Sequence, residues 1–194
     1  MFTYVKAKNF KSLKDIEFNL NKTKTKTNQF ISIYGENGSG KTNIVELFKL
    51  LQQITMARRI DVVMNKMPKE FWKIQEEMSD QLSMEIREIF QLSPQLNQYR
   101  MLDEKEATEI EYGFKINNKN GFYYIKFNNE IIEEKLYYIA GKQRGYLFQI
   151  KKDDSKINKD LNNSIFLNEK YNEELTEGID KYWGKYSFLS LLSF

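Results

Sequence analysis

The spacing of apolar positions changes character several times along the chain. Phe2, Tyr4 and Val5 read as an opening strand, and Ile16, Phe18 and Leu20 alternate with polar neighbours, which predicts a second, half-exposed strand. The Lys-Thr tract from Asn21 to Asn28 has no period and reads as a surface turn. Phe30-Ile31-Ser32-Ile33-Tyr34 is nearly continuous in its apolar character, the pattern of a strand buried on both faces. A helical period follows. Ile44, Leu47, Phe48, Leu51 and Ile54 recur at spacings of 3 and 4, so they share one face of a helix.

A second helical stretch is predicted from about Pro68 to Leu92. Pro68 suits a first helical position, and Met78, Leu82, Ile86, Ile89 and Phe90 form its packing stripe. Pro94 and the polar Gln95 to Gln98 close it. From Glu109 the period falls to 2, with Ile110, Tyr112, Phe114 and Ile116 on one face. Turn-rich links at Asn117 to Gly121, Asn128-Asn129 and Gly141 to Gly145 separate the returning strands Phe122 to Phe127, Ile131 to Tyr138 and Tyr146 to Ile150. Four strands joined by short turns predict an antiparallel meander. The last third is polar and Asn-rich at first and ends in Phe188-Leu189-Ser190-Leu191-Leu192, an apolar run that looks cut off inside a helix. The predicted organisation is a strand, Gly-rich loop and helix core over 1–57, a helical insertion over 58–108, the meander over 109–151 and a C-terminal segment over 152–194.

Composition narrows the chemistry. The 194 residues suit one domain, and the 41% hydrophobic share argues against disorder. Cysteine is absent, which excludes disulfides and thiolate metal sites. Histidine is absent too, which removes Ser-His, Cys-His and His-zinc arrangements together with the commonest general base. The net charge of +3 does not by itself imply nucleic acid. Lys6, Lys8, Lys11, Lys14, Lys22, Lys24 and Lys26 crowd the first 26 residues, and read as a solvated surface in preference to a dedicated DNA patch. No apolar run approaches the roughly 18 residues of a membrane span, and the N-terminus lacks a secretory core, so the expected place is the cytoplasm without a membrane partner.

The candidate chemistry lies between the apolar run and the first helix. Gly35-Glu36-Asn37-Gly38-Ser39-Gly40-Lys41-Thr42 matches G-x-x-x-x-G-K-[ST] without departure. Glycines let backbone wrap a phosphate closely, and the loop N–H groups then point inward at the positive end of the following helix. Lys41 is expected to reach the β- and γ-phosphates of ATP, the Thr42 hydroxyl to ligate Mg²⁺, and Asn43 to cap nearby backbone. Candidate phosphate contacts are therefore Gly35, Glu36, Asn37, Gly38, Ser39, Gly40, Lys41 and Thr42, with Mg·ATP as the ligand.

Asn9-Phe10-Lys11-Ser12-Leu13, followed by Tyr34 to Asn43 around that loop, resembles the N-terminal head segment of SMC and RecF-type ABC ATPases, and more closely that of OLD-family and related prokaryotic AAA-family defence proteins. The string from Gly121 to Leu136 is similar to the family's hairpin with an I..E.L return. The resemblance implies an α/β P-loop NTPase fold of ABC/RecF-like type, with an adjacent antiparallel β-meander and a helical insertion. It also implies two heads that close face to face on ATP as a homodimer, in DNA repair or anti-phage defence, with DNA or an effector nuclease or toxin as further partners. Many relatives carry arginine at the place of Lys11. Lysine keeps the charge and loses the bidentate fork, which leaves a phosphate contact and an ordinary surface lysine both open.

Other family elements are missing from the sequence. The nearest string to an acidic Walker B strand is Tyr99-Arg100-Met101-Leu102-Asp103-Glu104, whose polar start spoils a buried strand. No LSGG-type signature occurs, and the family's switch histidine is absent. The expectation is the N-lobe of a longer head, truncated within 152–194, that binds ATP and hydrolyses little alone; no catalytic residue is named. A P-loop kinase of small molecules, a GTPase and a nucleotide-binding module without turnover are the alternatives. Arg58, Arg59, Arg87, Arg100 and Arg144 form no lid-like cluster for a kinase, and no Asn-Lys-x-Asp string exists for guanine.

Overall fold

The computed structural model describes residues 1–23, 28, 30–65, 96–139, 145–154, 156–166 and 169–192, with 59–65 by backbone alone. Strands β1 (Phe2–Phe10) and β2 (Leu13–Asn19) precede helix α1 (Lys41–Asn65). After a 3-10 turn at Leu96–Tyr99 come β3 (Thr108–Ile116), β4 (Lys119–Phe127), β5 (Ile131–Tyr138), β6 (Tyr146–Asp153) and β7 (Lys156–Leu161). Helices α2 (Glu169–Tyr182) and α3 (Phe188–Leu191) follow. Among the described residues all the strands form one seven-stranded sheet in the order β2-β1-β3-β4-β5-β6-β7, each antiparallel to its neighbours.

Local sequence explains the register. Asn117 and Asn118 have φ of 49° and 60°, the left-handed region that a two-residue hairpin needs and that asparagine tolerates. The turn sets Ile110 opposite Ile125 and Tyr112 opposite Tyr123, all four buried. Val5, Ala7, Phe148 and Ile150 extend the buried face across the sheet. Helix α1 covers it with Leu47, Leu50, Ile54 and Ala57, and α2 adds Leu175 and Ile179. Two polar contacts fix α1 lengthwise: the Tyr112 hydroxyl donates to the Leu47 carbonyl at 2.6 Å, and the Ser187 hydroxyl to the Ile54 carbonyl at 3.0 Å. The opposite sheet face is solvated and carries ion pairs such as Lys126–Glu109 at 2.9 Å and Lys6–Glu17 at 3.9 Å.

Several expectations need correction. Phe30 to Tyr34 is not a buried strand: the segment has no regular structure, and Phe30 and Tyr34 are 83% and 89% exposed. A continuous apolar run buries itself only where layers exist on both sides, and no described strand pairs with this one. The predicted core sheet and neighbouring meander are a single sheet, because β1 pairs directly with β3. The meander has a fifth strand, β7, whose Lys156-Ile157-Asn158-Lys159 alternation sat inside a stretch read as merely polar. Helix α1 runs eight residues past the expected boundary at 57, to Asn65. Helix α2 was not anticipated either, since its buried face shows only Leu175 and Ile179 among charged residues.

The predicted helix from Pro68 to Leu92 lies outside the described residues, as do 140–144 of the Gly141 to Gly145 link. The terminal apolar run does form a short helix, capped by Ser187, which accepts from the Ser190 N–H. Among the described residues no helix is long and apolar enough to cross a membrane.

Candidate functional site

The Gly-rich loop packs against the turn between β1 and β2. Asn9 and Lys11 both have positive φ, 55° and 49°, so the chain reverses tightly there. Phe10 is fully buried and stacks on Tyr99 with ring centres 5.7 Å apart, and the Lys11 N–H donates to the Tyr99 carbonyl at 3.0 Å. Asn9 is buried and donates from its side chain to the Ala107 carbonyl at 3.3 Å. Every residue from Asn9 to Leu13 thus has a structural task beside the loop, and the two strings that carried the family resemblance touch. The Asn43 amide donates to the Ser12 hydroxyl at 2.7 Å, and Gly40 lies beneath Leu13. The expected backbone cap by Asn43 is instead this side-chain bond.

Gly38 and Gly40 have φ of 84° and 87°, where a side chain is strained. A Cβ on Gly40 would also come within 3.0 Å of a Leu13 methyl and 3.4 Å of the Ser12 hydroxyl. Gly40→Ala is therefore expected to cost about 1–2 kcal/mol of stability from the left-handed backbone alone, read as a lower urea midpoint. The same variant is expected to bind nucleotide more weakly, because the wedge pushes the loop from the helix start. Above Gly38 a Cβ would meet nothing within 4 Å, so the crest of the loop opens to solvent.

Gly35, Glu36, Asn37, Gly38, Ser39 and Thr42 are exposed, while Gly40, Lys41 and Asn43 are half-buried. The Lys41 ammonium bends across the loop and donates to the carbonyls of Gly35 at 2.8 Å and Glu36 at 2.5 Å. The Ser39 N–H closes a turn on the Glu36 carbonyl at 3.2 Å. Lys41 begins α1, and the first turn of that helix has no acidic residue, so its partial positive end is not offset by its own side chains. An ammonium, positive-φ glycines and an uncompensated helix start form a donor set that suits a polyphosphate. Thr42 is exposed on the first turn of α1, and its hydroxyl would be a protein ligand for a phosphate-bound Mg²⁺.

Lys11 points along the flank of α1. Its ammonium pairs with Glu46 and lies 5.3 Å from the centre of the Tyr99 ring. A phosphate contact from Lys11 would have to break that pair. Glu46 and Tyr99 were not expected at the site: Glu46 stands on α1 just past the loop and Tyr99 in the 3-10 turn before β3, and the folded β1–β2 turn brings Lys11 against both. The Tyr99 to Glu104 string is no strand: Leu102 is 86% exposed and Asp103 sits in a turn with φ of 58°.

Comparison with known proteins gives one family match. The model described as "AAA domain, putative AbiEii toxin, Type IV TA system" matches residues 30–171, most of the chain, and its matched span takes in the Gly-rich loop. No curated protein and no solved structure matches.

Proposed function

We propose, from the premise that this chain belongs to the AAA-domain family described by that model, that it binds Mg·ATP at Gly35 to Thr42 and works as one half of a nucleotide-closed dimer. The family makes nucleotide-binding ATPase activity the coarse expectation; the ABC-type head, the dimer and a role in DNA repair or anti-phage defence are our finer reading. The observation that carries it is the position of Lys41, whose ammonium spans an open loop held between α1 and the β1–β2 turn.

The exposed run Phe30 to Tyr34 supports the dimeric, multi-part reading. Apolar residues leading straight into a phosphate loop are costly in water, and each would be relieved by strands placed beside them. Hydrolysis needs an acidic residue near the γ-phosphate, which a strand beside 30–34 would bring. Among the described residues no strand pairs beside 30–34, so binding without appreciable turnover is the expected behaviour of this polypeptide alone.

Light scattering after gel filtration tests the reading. With Mg·ATP the chain is expected to shift toward twice its mass, with excess GTP displacing labelled ATP poorly. A mass unaffected by nucleotide, together with clear ATP binding, would sink the dimer and leave a monomeric nucleotide-binding module. Robust Lys41-dependent turnover by the isolated chain would refute binding without turnover.

A further inference from the structure

Strand β7 ends the sheet. It pairs with β6 on one side, and among the described residues no strand lies on the other. Such an edge presents a row of backbone donors and acceptors, which proteins ordinarily blunt with a proline, a bulge or a charge. β7 has no proline, and its six pairs with β6 run without a shift in register. Its central charge is drawn away from the edge: the Lys159 ammonium donates to Asp180 of α2 at 2.6 Å and to the Thr176 carbonyl at 3.4 Å. Ile157, Lys159 and Leu161 are half-buried on the core side, and Lys156, Asn158 and Asp160 are exposed on the other face. A cleft of ≈ 610 Å³ runs beside the strand, and the residues that α2 adds to its lining, Asn172 and Thr176, are uncharged.

The order of charges on the exposed face fits a second copy of the same strand. Residues directly opposite in an antiparallel pair share a face, so in a two-fold pairing each residue meets itself or one an even number of places away. Centred on Asn158, the pairing sets Lys156 against Asp160 of the second copy, Asp160 against Lys156, and Asn158 against its own equivalent. Opposite charges directly across two strands attract, and like charges there destabilise. The neighbouring registers lack this match. Centred on Lys159, the pairing sets lysine against lysine and leaves Lys156 past the strand end. Centred on Ile157, it sets Lys156 against Asn158 and leaves Asp160 past the strand end.

We infer that β7 pairs antiparallel with β7 of a second copy of this chain, about a two-fold axis at Asn158, and joins the two sheets into one. Two-fold pairing uses the same patch on both copies, as a self-complementary charge order requires. β7 and β2 are opposite edges of the sheet, and the Gly-rich loop lies against the turn that begins β2. The contact therefore leaves the nucleotide loop open, and the inference does not depend on ATP binding. A six-residue edge belongs to the weak class of contacts, below roughly 1,200 Å². Pairing through β7 is accordingly a property of concentrated protein, separable from a nucleotide-closed dimer read in dilute solution.

The chain has no cysteine, so single cysteines report the register. Oxidised in concentrated solution without nucleotide, Asn158→Cys is expected to form a disulfide-linked dimer. Lys156→Cys and Asp160→Cys, each alone, are expected not to, because equivalent residues there lie four places apart along the strands, roughly 13 Å and out of disulfide reach. A mixture of those two variants is expected to cross-link as a heterodimer. Sedimentation velocity over a concentration series reads the pairing without a cross-link. Asp160→Lys and Lys156→Asp are each expected to weaken self-association about tenfold, although they move the net charge in opposite directions. The exchange Lys156→Asp/Asp160→Lys is expected to restore it to within about threefold of the parent. A parent that stays monomeric throughout the series would overturn the inference and leave the edge to a different extended segment. So would equal cross-linking at all three positions, or an exchange variant with the parent's melting temperature that does not pair. Lys156 faces Asp153 within the chain, and if the charge variants do not fold, the cysteine pattern decides.

Discussion

Lys41→Ala lowers the affinity for Mg·ATP by roughly ten- to a hundredfold, the equivalent of about 1.5–3 kcal/mol for charge-assisted hydrogen bonds, and leaves the fold intact. The two halves of this outcome have separate causes. The ammonium's bonds go to the exposed carbonyls of Gly35 and Glu36, which water satisfies as well once the side chain is gone. Among the described residues the Lys41 ammonium bonds only exposed loop carbonyls, so the urea midpoint of the variant is expected to stay close to that of the parent. A bound polyphosphate has no such substitute, because solvent does not replace a fixed positive charge at the helix start. Calorimetric titration with ATP in Mg²⁺ reads the first half and urea unfolding the second. Unchanged ATP affinity would remove the phosphate role from the loop, and with it the nucleotide reading of this end of the sheet.

The parts of this site that were legible in the sequence are those set by local backbone. Gly38 and Gly40 had to be glycines because their φ is positive, and Ile44, Leu47, Leu51 and Ile54 had to follow at helical spacing to hold α1 on the sheet. The hairpin between β3 and β4 was legible as a turn, but its expected span Asn117 to Gly121 was too long: Asn117 and Asn118 alone make the turn, and β4 already starts at Lys119. What failed was everything decided by distant partners. Phe30 to Tyr34 reads as a core strand by composition, yet burial depends on neighbours that no local pattern specifies. The pairing of β1 with β3 joins segments about a hundred residues apart, so one continuous sheet could not be told from two. Lys11 was ambiguous in sequence because Glu46 and Tyr99, which hold it, come from α1 and from the turn before β3.

Edge strands show a further limit. β7 carries Lys156 and Lys159, and charged residues at a sheet edge mask the strand from a reading based on apolar alternation. The mutual contact of the Phe122, Tyr137 and Tyr146 rings was hidden by register. Phe122, Tyr137 and Tyr146 look like ordinary core candidates one at a time. Only the observed pairing, with a shift between Leu136 and Tyr137, puts them together on the solvated face while Tyr123 and Leu136 turn inward.

Glu134→Ala is expected to produce the largest loss of stability in this chain, about 3–5 kcal/mol, because it leaves several neutral donors buried without an acceptor at roughly 1–3 kcal/mol each. Glu134 is fully buried on β5 and accepts from the Tyr123 hydroxyl at 3.0 Å, the Trp183 indole N–H at 2.8 Å, and the backbone N–H groups of Phe188 and Leu189 at 2.7 and 3.3 Å. One carboxylate therefore ties the centre of the sheet to the segment after α2 and caps the start of α3. Alanine leaves those donors buried without an acceptor. Burial pushes the Glu134 carboxyl above its ordinary value of 4.5, against the pull of its four donors. A raised folded-state value means that the linked stabilisation is complete below 4.5 and is lost as pH rises through the raised value. The gap in urea midpoint between parent and Glu134→Ala should accordingly narrow as pH is raised above 4.5, while remaining large at neutral pH because the lost hydrogen bonds do not titrate away. An alanine variant within about 1 kcal/mol of the parent would mean that α3 is held by Phe188 and Ser187 packing alone.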